Sequence, residues 1–221
     1  MKVAAVIVAA GRGVRAGIGT PKQWRALAGR TSAEFAMQSF ADHPGIDRLV
    51  LVLHPDDIAS ERWGGSPAAD VVAGGATRSL SVLAGLKSLE GNCDKVLIHD
   101  AARPCVTPAV IDGVIAALHT HAAAAPAVAV VDALWRGENE KVAQSVDRSG
   151  LYRAQTPQGF DLDAILAAHR GFPEGAADDV ELARSAGLSV AITPGSEDNL
   201  KITLPEDFER AERILRARNG H

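Results

Sequence analysis

Cysteine is close to absent from this chain. Its two occurrences in 221 residues, Cys93 and Cys105, are too few for a disulfide framework and lack metal-ligand spacing, so both read as reduced thiols. Aromatic residues are also scarce, at 4%. No apolar run reaches the length of a membrane span. The run from Val3 to Ala10 is broken at once by Gly11-Arg12-Gly13-Val14-Arg15, which also argues against a signal sequence, so a cytoplasmic protein is expected. Positive charge is not in excess. Lys and Arg number 23 against 27 Asp and Glu, and a net charge of −4 argues against a general nucleic-acid binder. Any phosphate binding therefore rests on a few placed cations, not on the field of the whole molecule.

What remains is an ordinary globular composition, 47% hydrophobic and 23% charged, rich in Ala, Val and Leu. A chain of this length buries roughly 70% of its unfolded surface without help from disulfide or metal. Residues 1–221 read as one domain. Apolar runs at Val3–Val8, Leu49–Leu53, Val96–Ile98, Ala127–Val131 and Val190–Ile192 predict strands. Between and after them, helical patterns cover Ser32–Phe40, Arg78–Leu89, Pro108–His119, Leu162–His169, Asp179–Ala186 and Pro205–Arg216. Thr107-Pro108 reads as a helix cap followed by proline at the first helical position, and Thr203 is expected to act likewise before Pro205. The alanine cluster Ala122–Ala125 reads as a helix end leading into a strand. Alternation of this kind predicts an α/β fold: a mostly parallel Rossmann-like sheet with helices on both faces. Ligands of such sheets bind at the carboxyl ends of the strands.

Residues 132–158 break the rhythm. Val142–Val146 and Leu151–Gln155 flank a turn signal, Asp147-Arg148-Ser149-Gly150, and predict a projecting β-hairpin arm. An arm without a core of its own packs on something, and a second copy of the chain is the simplest partner.

The chemistry concentrates at the carboxyl ends of the predicted strands. Gly11-Arg12-Gly13 directly after Val3–Val8 offers bare backbone N–H groups to an anion. Arg15 and Lys22 in the same loop add two fixed cations, which suits a polyphosphate undergoing reaction. The stretch Gly11 to Ala16 also fits a dinucleotide-binding fingerprint, with Glu34 as its ribose-binding acid. Against a dehydrogenase, Gly17, Gly19 and Pro21 prolong the loop where a helix should begin. Asp100 and Arg103 follow Val96–Ile98 within His99-Asp100-Ala101-Ala102-Arg103-Pro104 and point into the same crevice. Asp100 is suited to accept from substrate hydroxyls or to help place magnesium, and His99 reads as a packed residue. Lys201, between the last strand and the last helix, is within reach of a phosphate there. Arg148 and Thr156 belong to the arm and serve a site only if the arm folds over one.

Taken together these motifs resemble the 2-C-methyl-D-erythritol 4-phosphate cytidylyltransferase family. The likeness is carried by Ala9-Ala10-Gly11 through Arg15, Pro21-Lys22-Gln23, Gly74-Gly75 with Arg78 and Ser81, and His99 through Pro104. It continues in Gln155-Thr156-Pro157-Gln158 and in Asp198 through Thr203 with Pro205-Glu206-Asp207. The resemblance implies transfer of a cytidylyl group from CTP to the methylerythritol phosphate, with magnesium or another divalent cation, in a homodimer. It implies that Arg15 and Lys22 stabilise the transition state, and that backbone at Ala9, Ala10, Gly11 and Gly75, with the Ser81 side chain, recognises cytidine. It implies that Asp100 and Arg103 contact ribose or substrate hydroxyls. Lys201, with Arg148 and Thr156 from a neighbouring subunit's arm, would hold the acceptor phosphate. Ala76 stands where the family often has an acidic residue, and Ala177 where it often has a threonine. Ribitol 5-phosphate as acceptor, or a module that binds CTP without turnover, are the alternatives these two positions leave open.

Overall fold

A computed structural model describes residues 1–12, 20–65, 67–171 and 176–218. From the N-terminus its elements are β1 (Val3–Val8), β2 (Ala26–Leu27), β3 (Arg30–Thr31), α1 (Ser32–Ala41), β4 (Arg48–Leu53), α2 (Pro55–Ala59), β5 (Asp70–Ala73), α3 (Arg78–Leu89), β6 (Lys95–Asp100) and α4 (Pro108–Ala117). There follow β7 (Ala123–Ala129), β8 (Leu134–Glu138), β9 (Lys141–Val146), β10 (Tyr152–Ala154), β11 (Gln158–Asp161), α5 (Leu162–Gly171), α6 (Asp179–Ser185), β12 (Val190–Pro194) and α7 (Glu206–Arg218). The eight-stranded sheet runs β10-β7-β11-β6-β1-β4-β5, with β12 also on β7. Pairings β6-β1, β1-β4, β4-β5 and β12-β7 are parallel, whereas β11 lies antiparallel between β6 and β7, and β10 runs antiparallel to β7.

Strict alternation along β1 is why helices cover both faces. Val3, Ala5 and Ile7 join Met37 and Phe40 of α1 and Ile111 and Val114 of α4 in one core. Ala4 and Val6 join Val82 and Leu86 of α3 and Ile165 and Leu166 of α5 in the other. Gly85 lets α3 lie close to the sheet, since a Cβ there would come within 2.7 Å of Val6 and 2.9 Å of Val52. A smaller cluster of Leu27, Cys105, Ile202, Phe208 and Ala211 seats α7 beside β2.

Local caps match much of the expected helical pattern. Thr107 accepts from Val110 N with Pro108 at the first position of α4. Thr31 and Glu34 form a capping box at α1, so the acid that a dinucleotide fingerprint would send to ribose is occupied in starting a helix. Thr203 departs from expectation. Its hydroxyl donates to Lys201 O, and Asp207 instead accepts from the backbone N–H groups of Thr203 and Leu204.

Three further expectations are corrected. The alanine cluster is part of a strand, because Ala123 and Ala124 pair with β11 on one edge and β12 on the other. Strands β5 and β11, of four residues each, are too short to stand out, and they form because β4 and β6 offer them free edges. The arm is a hairpin of β8 and β9, closed at Asn139 and Glu140 with φ of 49° and 62°, not of the pieces flanking Gly150. The turn before Leu151 does form, with Leu151 N donating to Arg148 O, but it returns β10 to the free edge of β7.

Candidate active site

The loops leaving β1, β5 and β6 meet over the carboxyl ends of the parallel strands and enclose a cavity of about 450 Å³. Its floor is the backbone of Ala9, Ala10 and Gly11. Gln23, 3% exposed, donates through Nε2 to both Ala9 O and Gly11 O at 2.7 Å and so holds that turn in place. Gly74-Gly75 forms the adjoining wall. Ser81 Oγ accepts from Gly75 N at 3.1 Å and donates to Thr77 O at 2.9 Å, pinning the loop to the start of α3. The glycine pair is demanded by contact: a Cβ at Gly74 would lie 2.5 Å from the Ala10 methyl, and one at Gly75 2.5 Å from Leu80 Cβ.

Cations surround this backbone. Lys22 Nζ donates to Ile202 O at 2.7 Å, joining the first loop to the segment before α7. Lys201 Nζ meets Asp100 Oδ2 at 2.7 Å, and Arg78 Nη2 meets Asp100 Oδ1 at 3.3 Å. Arg12 reaches the same cavity, held by His54 at 2.8 Å and by Asp56. Burial pushes the Asp100 carboxyl up, but Arg78 and Lys201 more than offset it and hold the group below the usual carboxylate range. Asp100 is thus an anion at any physiological pH.

Behind the cavity, His99 is fully buried against Phe40, with ring centroids 4.9 Å apart. Its Nε2 bonds Arg103 O at 3.1 Å, and a carbonyl only accepts, so Nε2 carries the proton and Nδ1 accepts from the Thr156 hydroxyl at 2.9 Å. Burial pushes this imidazole down to about 4. It is a neutral packed residue, as its sequence context suggested.

A family model for 2-C-methyl-D-erythritol 4-phosphate cytidylyltransferase matches residues 3–217. The chain belongs to that family. It is 69% identical over 221 residues to the 2-C-methyl-D-erythritol 4-phosphate cytidylyltransferase of Roseobacter denitrificans, with both chains covered in full. It is 60% identical to the bifunctional enzyme IspD/IspF of Rhodobacter capsulatus, matching 100% of this chain and 58% of that protein. Among solved structures it is similar to the cytidylyltransferase from Thermus thermophilus, at 31% identity and a TM-score of 0.80 over 98% of this chain and 100% of that one. A crystal structure of a 4-diphosphocytidyl-2C-methyl-D-erythritol synthase gives a TM-score of 0.84 at 30% identity, over 97% and 99% of the two chains. Membership makes the chain a nucleotidyltransferase that moves a cytidylyl group from CTP to 2-C-methyl-D-erythritol 4-phosphate in isoprenoid biosynthesis.

Within this cytidylyltransferase, Ala9, Ala10, Gly11, Lys22, Gly75, Ser81, Asp100 and Lys201 line the one cavity. Arg15 lies outside the described residues. Arg103 is turned away from the cavity. Its guanidinium donates to Asn199 O at 2.6 Å and Ala154 O at 3.3 Å, fastening the loop that carries Lys201 to the end of β10. Thr156 is no arm residue. It is 5% exposed on the body, where its hydroxyl accepts from Asp100 N at 3.3 Å and reaches His99 of the same chain. Arg148 is exposed and bonds Val131 O, outside the cavity lining. Arg78 and Gln23 occupy the site without a role read from sequence. The available signals were a cation at the first position of a helix after a glycine pair, and an amide directly after the loop lysine.

Proposed function

We propose that the cavity binds CTP with the cytidine end against Gly75 and Ser81 and the triphosphate toward Lys22, and that the acceptor phosphate enters beside Lys201. The observation that carries this reading is the convergence of Lys22, Arg78 and Lys201 with bare backbone at Ala9–Gly11 and Gly75 in one cavity. An oxygen of the acceptor phosphate forms a bond to the α-phosphorus as the bond from that phosphorus to the bridging oxygen breaks. The electron pair leaves with pyrophosphate. Negative charge grows on the bridging and equatorial oxygens, where the two ammonium groups, with Arg15 in the same sequence loop, stabilise it most. The attacking oxygen is already anionic, so no general base is assigned. Asp100 accepts from ribose hydroxyls with the oxygen capacity its cations leave free.

The donor set suits magnesium carried mainly by the nucleotide. Asp100 is the carboxylate lining the cavity, and the described residues hold no group of three or more His, Cys, Asp or Glu that could cage a metal. When bound, such an ion supplies charge neutralisation at the phosphate oxygens. The arm supports a homodimer. Trp135 and Val142 are 64% and 58% exposed, apolar surface that a second copy would cover. In that dimer Arg148 approaches the partner's acceptor phosphate. The reading is cytoplasmic, in keeping with its need for CTP, and among the described residues no helix is long and apolar enough to cross a membrane.

The test is pyrophosphate release from CTP with magnesium and either 2-C-methyl-D-erythritol 4-phosphate or ribitol 5-phosphate. Release with the first acceptor alone is expected. Preference for ribitol 5-phosphate, or CTP binding with no release, overturns the reading.

A further inference from the structure

Arg78 does not end at the cavity. Its guanidinium lies between two carboxylates from distant parts of the chain, Asp100 at the end of β6 and Asp179 in the first turn of α6. Nη1 stands 2.9 Å from Asp179 Oδ2, an ion pair whose N–H direction lies off the oxygen, and Nη2 stands 3.3 Å from Asp100 Oδ1. Behind it, the other oxygen of Asp179 meets His169 Nε2 at 3.2 Å, and His169 Nδ1 meets Ser79 Oγ at 3.3 Å. Asp179 and His169 are 2% and 1% exposed and neither lines the cavity.

We infer that Asp179, steadied by His169, is a positioning residue that draws Arg78 back, so that Nε and Nη2 reach only one Asp100 oxygen, at 3.3 Å, and Asp100 keeps capacity to accept from the nucleotide. The inference rests on the cytidylyl-transfer reading of the cavity. Its physical basis is a balance of charge along one line. Asp179, Arg78, Asp100 and Lys201 alternate in sign, with Arg103 a further cation acting on Asp100, and His169 backs Asp179 from the side away from Arg78. Burial pulls the Arg78 guanidinium down, but its two carboxylates more than offset this and keep it firmly charged. Remove the rear charge and the attraction becomes one-sided. Arg78, whose Nε and Nη2 already donate to Asp100 Oδ1 at 3.3 Å, then tightens on that carboxylate, and with Lys201 on Oδ2 less of Asp100 is left for the nucleotide. A guanidinium without its rear partner would also attract the incoming triphosphate and draw it out of register.

A merely structural Asp179 predicts something else: lower stability and a smaller active fraction, with unchanged affinity per intact site. Calorimetric titration with CTP separates the two, because stoichiometry reports the fraction of sites and Kd reports the sites that remain. For Asp179→Asn, which keeps shape and removes charge, the expected result is a CTP Kd weakened about tenfold at unchanged stoichiometry. The KM for the acceptor should move less than twofold. His169→Phe, which leaves the first turn of α6 untouched, should weaken CTP about threefold, and His169→Gln, which retains a donor, should restore most of that loss. Should Asp179→Asn not fold, the two His169 variants decide. A CTP Kd within twofold of the parent in the folded variants, whatever happens to their melting temperature, overturns the inference while leaving the reaction intact. Failure of the parent itself to bind CTP would instead sink the reading on which it rests.

Discussion

The two halves of the sheet were built under different rules. The half containing β6, β1, β4 and β5 is parallel throughout, and its three longest strands are apolar runs with helices between them. The half containing β7, β10, β11 and β12 mixes directions, and its strands are short or alanine-rich. The first supplies the glycine loops, Lys22 and Asp100. The second supplies Lys201, the Arg103 contacts that fasten its loop, and Asp179 behind Arg78. The lesson is that the parallel half's share of the cavity follows from local chain signals, whereas the mixed half's share depends on which edges are free for pairing.

The largest expected effect tests the parallel half. Lys22→Ala should slow pyrophosphate release by about 10²–10³ while the chain stays folded, since one preorganised donor to a charged transition state is commonly worth that much. Release at the parent rate would show that the cavity does not use this lysine.

The next addresses the seam, where Thr156 of the mixed half meets His99 of β6. The folded imidazole sits at about 4 against an ordinary 6.5, so the unfolded chain takes up a proton that the folded one refuses. Stability is whole above pH 6.5 and should fall by about 3 kcal/mol as pH drops to 4. Chemical denaturation across that range checks it, and His99→Gln should flatten this part of the profile. An unchanged slope in the variant would assign the loss to other groups.

A smaller effect is expected inside the mixed half. Gly159 lies in β11 under α4, where a Cβ would come within 2.5 Å of Val114 Cγ1 and 2.9 Å of Leu118 Cδ1. Gly159→Ala should cost about 1–3 kcal/mol of stability through overpacking while CTP affinity stays at the parent value. A coupled loss of CTP affinity would mean that the halves are less separate than their construction suggests.

The smallest effect on the folded chain belongs to the arm. Arg148→Ala should change stability by no more than about 0.5 kcal/mol, because the side chain is exposed. Its acceptor KM should nevertheless rise more than its CTP KM. Mixed dimers with Lys22→Ala should recover part of the lost turnover, and a complete lack of recovery would count against shared sites.

How much was legible follows from the same contrast. Val3–Val8 and Arg78–Leu89 were readable to the residue, because an apolar run and a capped amphipathic pattern are local properties. Lys22, Asp100 and Lys201 were readable as candidates because each lies beyond a predicted strand, whereas Gly75 and Ser81 were reached through the family resemblance, and all five line the cavity. Arg103 and Thr156 were readable as important yet misplaced. Nothing near Arg103 in the chain announces the carbonyls of Asn199 and Ala154, which lie 96 and 51 residues away. Asp179 had no local sign of its ion pair with Arg78, which stands at the start of α3.

By itself the order of residues determined that strands and helices alternate, that β1 would be buried on both sides, and that glycine loops with cations would follow it, since these depend on neighbours a few positions apart. Only the tertiary structure decided the direction of β10 and β11, the pairing within the arm, and the line of charge from Lys201 to Asp179. Hydrogen-bond edges and buried carboxylates are satisfied by whatever partner the completed fold brings near, and sequence separation does not measure that distance.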